Sequence, residues 1–229
     1  EHTFEDDEEH IIHLITYFKD KRYIKVEGKP IFIIYKPNLF PNIQKTIMIW
    51  RKAVKEAGFP DLYIGYAHNV ENQFIPNSSV FDFAFEFHPN SFNLPKSIPY
   101  PRTYLEKSIN KIKKRLNIKV KNLNYFVDYS SYAVNQTEIS YKKDIFPGIT
   151  PMWDNTARRK ANNFILHDST PEKYKIWLCY IKENYPWESV PENFLFLNAW
   201  NEWAEGNHLE PCQKWRTKYL EVTKKALED

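Results

Sequence analysis

Pro30-Ile31-Phe32-Ile33-Ile34-Tyr35-Lys36-Pro37 is the stretch that decides the fold. Apolar residues run on without a break between two prolines, with none of the in–out alternation of a half-exposed strand. Such a run fits a strand covered on both faces, the usual state of a strand in a parallel sheet. Before it, residues 5–19 set Ile11, Ile12, Leu14, Ile15 and Phe18 at helical spacing, behind acidic residues suited to a helix start. After it, residues 43–57 set Ile43, Ile47, Trp50, Val54 and Ala57 on a second helical face, which Gly58 ends.

The pattern repeats outward. Residues 62–66 and 80–87 read as strands, 102–116 as a helix and 125–129 as a short strand. Residues 145–153 read as a strand interrupted by Pro147 and Pro151. A helix over 171–184 follows the start signal Ser169-Thr170-Pro171-Glu172. Residues 194–199 form the last strand and 214–227 the last helix. Short buried strands alternating with helices predict a parallel α/β architecture. No linker or repeat interrupts the chain, so 1–229 reads as one domain. An open doubly wound sheet usually carries a glycine-rich first turn, and here only 5 of 229 residues are glycine. Polar and aromatic residues instead follow the strands: Tyr35-Lys36, Tyr66-Ala67-His68-Asn69, Glu86-Phe87-His88, Trp153-Asp154-Asn155 and Asn201-Glu202. Barrel enzymes place their sites at such strand ends. The expected fold is therefore a (β/α)8 TIM-type barrel, of which this chain supplies roughly five strand–helix units.

Composition removes several classes. Hydrophobic residues make up 42% and the formal net charge is +3, so disorder is excluded as the main state. No apolar run reaches 18 residues, so no integral membrane segment is expected. No GxGxxG or GxxxxGK occurs, which removes the common nucleotide cradles. The two cysteines, Cys179, which sits in an apolar helical run and reads as a small core residue, and Cys212, form no CxxC, and no HExxH or carboxylate triad is present. No metal or other cofactor is demanded. Nothing marks a nucleic-acid binder. The basic run at Lys111, Lys113, Lys114, Arg115, Lys119 and Lys121 is either a solvated helix face or an anion-attracting patch. The first residue is Glu1, and no signal peptide is evident; a reducing, cytoplasmic setting is expected. Aromatics reach 17%, an excess that needs a reason.

Two constellations carry chemistry. In Phe194-Leu195-Phe196-Leu197-Asn198-Ala199-Trp200-Asn201-Glu202-Trp203-Ala204-Glu205-Gly206, an apolar strand runs out into two carboxylates three residues apart, flanked by tryptophans and asparagines. Glycosyl chemistry needs that inventory: one carboxyl to move a proton on oxygen and a second to assist at the sugar. Tryptophan faces stack on sugar rings, and apolar neighbours raise a carboxyl's pKa toward a general acid's range. The alternative is a strand end whose glutamates cap a helix or pair with Lys and Arg. In Trp153-Asp154-Asn155-Thr156-Ala157-Arg158, the arginine suits a phosphate or carboxylate, and Asp154 and Asn155 suit sugar hydroxyls. The alternative here is an Asx turn with Arg158 paired to a carboxylate. Tyr35, Glu86 and His88 are further candidates for lining a pocket.

Asn198-Ala-Trp-Asn-Glu-Trp-Ala-Glu-Gly206 with Leu209-Glu210-Pro211, Pro151-Met-Trp-Asp-Asn-Thr-Ala-Arg158, and the segment Phe18 to Pro37 resemble the bacterial WbsX-type glycosyltransferase family, associated with lipopolysaccharide O-antigen and polysaccharide synthesis. The family is also distantly similar to glycoside hydrolase family 99, endo-alpha-mannosidases built as (β/α)8 barrels, whose Asn-Glu-Trp-x-Glu-Gly motif is matched by Asn201, Glu202, Trp203, Glu205 and Gly206. The resemblance implies a carbohydrate substrate, Glu205 as general acid/base, and Glu202 assisting the sugar's own 2-hydroxyl as internal nucleophile, without a metal. It also implies that a complete domain has a further N-terminal portion, resembling three barrel strands, and that this chain is the C-terminal part. A non-catalytic glycan-binding domain that keeps the aromatic pocket is the alternative function.

Overall fold

The structure is a computed structural model that describes residues 3–69, 80–90, 92–95, 98–99, 112–113, 115–116, 125–137, 145–159, 163–189 and 192–228. The helices in chain order are α1 (Phe4–Phe18), α2 (Ile43–Glu56), α3 (Tyr129–Thr137), α4 (Pro171–Asn184) and α5 (Lys218–Glu228). The strands are β1 (Lys25–Val26), β2 (Lys29–Ile34), β3 (Tyr63–His68), β4 (Phe83–Glu86), β5 (Ile98–Pro99), β6 (Tyr125–Asp128), β7 (Ile145–Phe146), β8 (Gly148–Ile149), β9 (Trp153–Asp154), β10 (Phe164–His167), β11 (Phe196–Leu197), β12 (Asn201–Glu202) and β13 (Asn207–His208). The chain divides into two units. One comprises Glu1–Asn90, Tyr141–Gly148 and Pro186–Phe196; the other comprises Ser91–Ser140, Ile149–Tyr185 and Leu197–Asp229.

The first unit holds a sheet in the order β1-β2-β3-β4-β7. Strands β2, β3, β4 and β7 are mutually parallel, and β1 joins as an antiparallel hairpin partner of β2. The continuous apolar run at 30–37 is thus the start of a parallel sheet, although its strand ends at Ile34, where the chain turns toward Pro37–Leu39. Helix α1 begins at Phe4 because Thr3 caps it: Thr3 Oγ1 accepts from the Asp6 amide, and Asp6 Oδ2 accepts from the Thr3 amide. One sheet face contributes Ile34, Ile64, Tyr66, Ala84 and Ile145 to a core with Ile11 and Phe18 of α1 and Ile47, Trp50 and Val54 of α2. Helices α1 and α2 are tied through Asp7, whose buried carboxylate accepts from Thr46 Oγ1 at 2.7 Å and whose carbonyl accepts from Trp50 Nε1 at 3.0 Å. The other face is aromatic: Tyr63, Phe83, Phe85 and Phe146 pack with Phe87, Phe194 and Phe196. Much of the aromatic excess is therefore core.

The second unit holds a sheet in the order β5-β6-β10-β9. Here β6 and β10 are parallel, and β5 and β9 flank them antiparallel. Its core gathers Tyr129, Tyr132, Tyr174, Trp177, Leu178, Ile181 and Tyr219, all nearly inaccessible to solvent. Helix α4 occupies the predicted span because Thr170 caps it and Pro171 opens it. Three readings change. Tyr129 begins a helix rather than ending a strand, because Asp128 Oδ1 accepts from the Ser131 amide and turns the chain. The strand expected over 194–199 is confined to Phe196–Leu197. Cys179 is half-buried rather than a core residue. The helix expected over 102–116, and the basic run, fall largely outside the described residues. Among the described residues no helix is long and apolar enough to cross a membrane.

Candidate functional site

The two glutamates sit on a hairpin of the second unit. Strand β12 pairs antiparallel with β13, Asn201 opposite His208 and Glu202 opposite Asn207. A single 3-10 turn, Trp203–Glu205, joins them and ends at Gly206, with φ 55° and ψ 30°. Glycine is required there twice over. The backbone is left-handed, and a Cβ would stand 3.0 Å from the Asp154 carbonyl oxygen and 3.3 Å from its nitrogen. The hairpin therefore rests directly on β9.

Buried polar groups hold it in place. Asn207 is fully buried; its Nδ2 donates to the Asn198 carbonyl at 2.8 Å, and its Oδ1 accepts from Thr150 Oγ1 at 3.1 Å. The Thr150 carbonyl in turn accepts from the Tyr129 hydroxyl at 2.6 Å. The Leu209 amide donates to the Ala199 and Trp200 carbonyls, and the Glu210 amide donates to Trp200. At the tip, Trp203 Nε1 donates to Glu210 Oε2 at 2.8 Å, and its ring lies 3.8 Å from that of His208. Asn207, Thr150, Tyr129 and Glu210 were not singled out from sequence. Only the Leu209-Glu210-Pro211 continuation of the motif pointed toward one of them.

Glu205 is the electrostatic centre. Its side chain is 17% exposed, and Arg158 Nη1, on a side chain 60% exposed, approaches Oε1 to 2.5 Å. Burial pushes the Glu205 carboxyl above its ordinary range; the Arg158 charge opposes that, the Glu202 charge adds to it, and Arg159 weighs against it. Glu202 is exposed, as are Trp200 and Trp203. The side chains available at the hairpin tip are thus two carboxylates of unequal burial and two tryptophan faces.

The 151–158 segment takes the Asx-turn alternative. Asp154 Oδ1 accepts from the Thr156 amide at 2.9 Å and opens a 3-10 turn over Asn155–Ala157. Asn155 is buried and its Oδ1 accepts from the Phe164 amide at 3.0 Å, locking β9 beside β10. The carboxylate that pairs with Arg158 is Glu205. Trp153 is buried and lines a pocket of about 370 Å³ with His167, His208, Lys214 and Trp215; the two glutamates are not among its lining residues.

Tyr35, Glu86 and His88 belong to the first unit. Glu86 Oε2 accepts from the Gly148 amide at 3.2 Å and lies 3.5 Å from His88 Nε2, while His88 Nδ1 lies 3.3 Å from Asn90 Nδ2. Tyr35 is half-exposed with its ring 5.0 Å from Phe87. Among the described residues no group of three or more His, Cys, Asp or Glu is arranged to hold a metal ion.

Comparison with known proteins now has a geometry to meet. Two curated relatives, the proteins named WxcX of two strains of Xanthomonas campestris pv. campestris and described as uncharacterized, are each 27% identical over 235 residues. They match 99% of this chain, which spans 31% of their length. The fold is that of a solved glycoside hydrolase-like protein, at a TM-score of 0.58 with 14% identity over 97% of this chain and 60% of that one. A second solved structure, the GH99 endo-alpha-mannosidase of Bacteroides thetaiotaomicron, aligns with a TM-score of 0.46 and 14% identity over 99% of this chain and 68% of that one. The family described as glycosyltransferase WbsX matches residues 1–223, and the chain belongs to that family.

Proposed function

We propose that this chain carries the paired-glutamate site of a carbohydrate-active enzyme that makes or breaks glycosidic bonds, in the synthesis of a polysaccharide of the lipopolysaccharide O-antigen type. The observation that carries the reading is Glu205: a carboxyl withdrawn from water, pushed above its ordinary pKa by burial and by the Glu202 charge. A carboxyl in that state holds a proton near neutral pH more readily than a solvated one, as a general acid must. Glu205 protonates the leaving oxygen and then removes a proton from the incoming hydroxyl. Glu202, exposed on the same hairpin, draws a proton from the sugar's 2-hydroxyl. Trp200 and Trp203 offer faces for ring stacking. Whether water or a sugar hydroxyl accepts decides between hydrolase and transferase. The fold shared with a glycoside hydrolase-like protein supports reading the chain as part of a (β/α)8 barrel.

Glu205→Gln in the full-length protein keeps the side chain's shape and removes its proton chemistry. Turnover is expected to fall about 10²–10⁴-fold with the unfolding temperature little changed. Undiminished turnover would sink the reading. One feature favours the glycan-binding alternative: Arg158 already gives Glu205 a structural partner. Sugar affinity that survives Glu202→Gln with Glu205→Gln, with no turnover on any donor, would select it.

A further inference from the structure

Arg158 and Glu205 form an unequal pair. The carboxylate is largely enclosed, whereas the guanidinium is 60% exposed. A guanidinium carries five N–H donors. Among the described residues the only side-chain bond of Arg158 is Nη1 to Glu205 Oε1, which leaves donors for a further partner. Its backbone, by contrast, is fixed: the Arg158 amide donates to the Asn155 carbonyl, and Asn155 is itself anchored to Phe164. An immobile backbone with a solvent-facing guanidinium lets the side chain change partners without moving the fold. Only the Glu205 end of the pair is enclosed, and a phosphate or carboxylate offers the guanidinium two oxygens where Glu205 meets it with one.

We infer that Arg158 is a positioning residue that exchanges partners: it holds the Glu205 carboxylate before substrate binds, and releases it to grip a phosphate or carboxylate group of the substrate. The inference rests on Glu205 being the residue that transfers the proton. Its consequence is coupling. Once Arg158 leaves, the charged groups acting on Glu205 are Arg159 on the adjoining turn and Glu202 on its own hairpin. Burial and the Glu202 charge, which already hold the carboxyl above its ordinary range, then act with less opposition, and one proton from solvent adds to the carboxylate. Substrate binding itself thus loads the general acid.

Calorimetric titration of the full-length protein, in two buffers of different ionisation enthalpy at mildly acidic pH, counts protons taken up on binding. Inorganic sulfate serves as a probe that does not titrate; a hexose 1-phosphate and a hexuronate distinguish the two sources of the anion. Wild type is expected to bind sulfate or one of the sugars with net proton uptake. Arg158→Met should weaken binding about ten-fold or more, the weight of a charge-assisted hydrogen bond, and Arg158→Lys should recover part of it. Glu205→Gln should bind at least as tightly with no proton uptake. Failure of wild type to bind any of the three probes overturns the inference. So does unchanged affinity in Arg158→Met, or uptake that persists in Glu205→Gln. If uptake depends on Glu205 while Glu205→Gln retains turnover, the exchange stands and the catalytic reading falls.

Discussion

Gly206→Ala isolates what the hairpin demands of its turn. Two costs add at this position. A Cβ in the left-handed region costs roughly 1–2 kcal/mol. The same Cβ would lie 3.0 Å from the Asp154 carbonyl oxygen, 3.1 Å from its Cβ and 3.3 Å from its nitrogen, all closer than ordinary contact. Two of these atoms are backbone, and β9 is paired with β10, so they cannot yield as a flexible side chain does. Overpacking of this kind adds about 1–3 kcal/mol, for a combined loss of roughly 2–5 kcal/mol. Gly58 supplies the control: its φ is 94°, and a Cβ there meets nothing within 4 Å. Gly58→Ala therefore measures the backbone cost alone, about 1–2 kcal/mol. Gly206→Asn, which tolerates the left-handed backbone but keeps the Cβ, should fall between the two. Hydrogen exchange of peptides covering 55–69 and 198–210 in the full-length protein reports each local stability. Equal losses for Gly206→Ala and Gly58→Ala would refute the claim that the hairpin rests tightly on β9.

Other perturbations have definite outcomes. Asn207→Leu removes the bond to the Asn198 carbonyl and one of the two acceptors of the Thr150 hydroxyl, leaving it the Met152 carbonyl; a loss of about 1–3 kcal/mol should appear as a lowered denaturation midpoint. Phe146→Ala empties the aromatic face of the first unit's sheet and should cost about 3–5 kcal/mol, read as faster exchange throughout β3 and β4. The Glu205 carboxyl also sets a pH dependence. Its folded pKa lies above the unfolded value, so its contribution is most favourable at acid pH and is lost as pH rises through the folded value. Glu205→Gln should therefore grow more stable relative to wild type as pH rises from below the ordinary glutamate range toward neutrality, and a constant difference across that range would contradict the assigned shift.

Some of this was legible in residues and some was not, for physical reasons. Strand β3 announces itself because a strand covered on both faces must be apolar without interruption; β2 carries the same apolar run but is covered less than expected, Ile33 being 37% exposed. Helix α4 announces itself because Thr170 and Pro171 mark its start. Helix α3 was missed: Tyr129–Thr137 contains two serines, an asparagine and a valine, and its apolar face is weak. It exists because Tyr129 and Tyr132 are fully buried and Asp128 turns the chain for it. Strand β10 is four residues long, too short for periodicity to speak. At the candidate site, the turn bearing Glu202 and Glu205 was readable from their spacing and from Gly206. That Asp154 would form an Asx turn, with Arg158 meeting a carboxylate, stood as the alternative reading. Which carboxylate was not readable, because the partners are 47 residues apart and only folding of the second unit brings them together.

The polar network beneath the hairpin separates two kinds of tolerance. Asn207, Thr150 and Tyr129 secure the loop from below and contribute nothing to its outer surface, whereas Trp200 projects into solvent. Change at Trp200 can accumulate without disturbing the scaffold that aims the carboxylates. Under the proposed function, such a site can drift from one sugar to another through its outward residues while keeping its reaction. A saturation library at Trp200 is therefore the natural starting point for redirecting what the protein recognises.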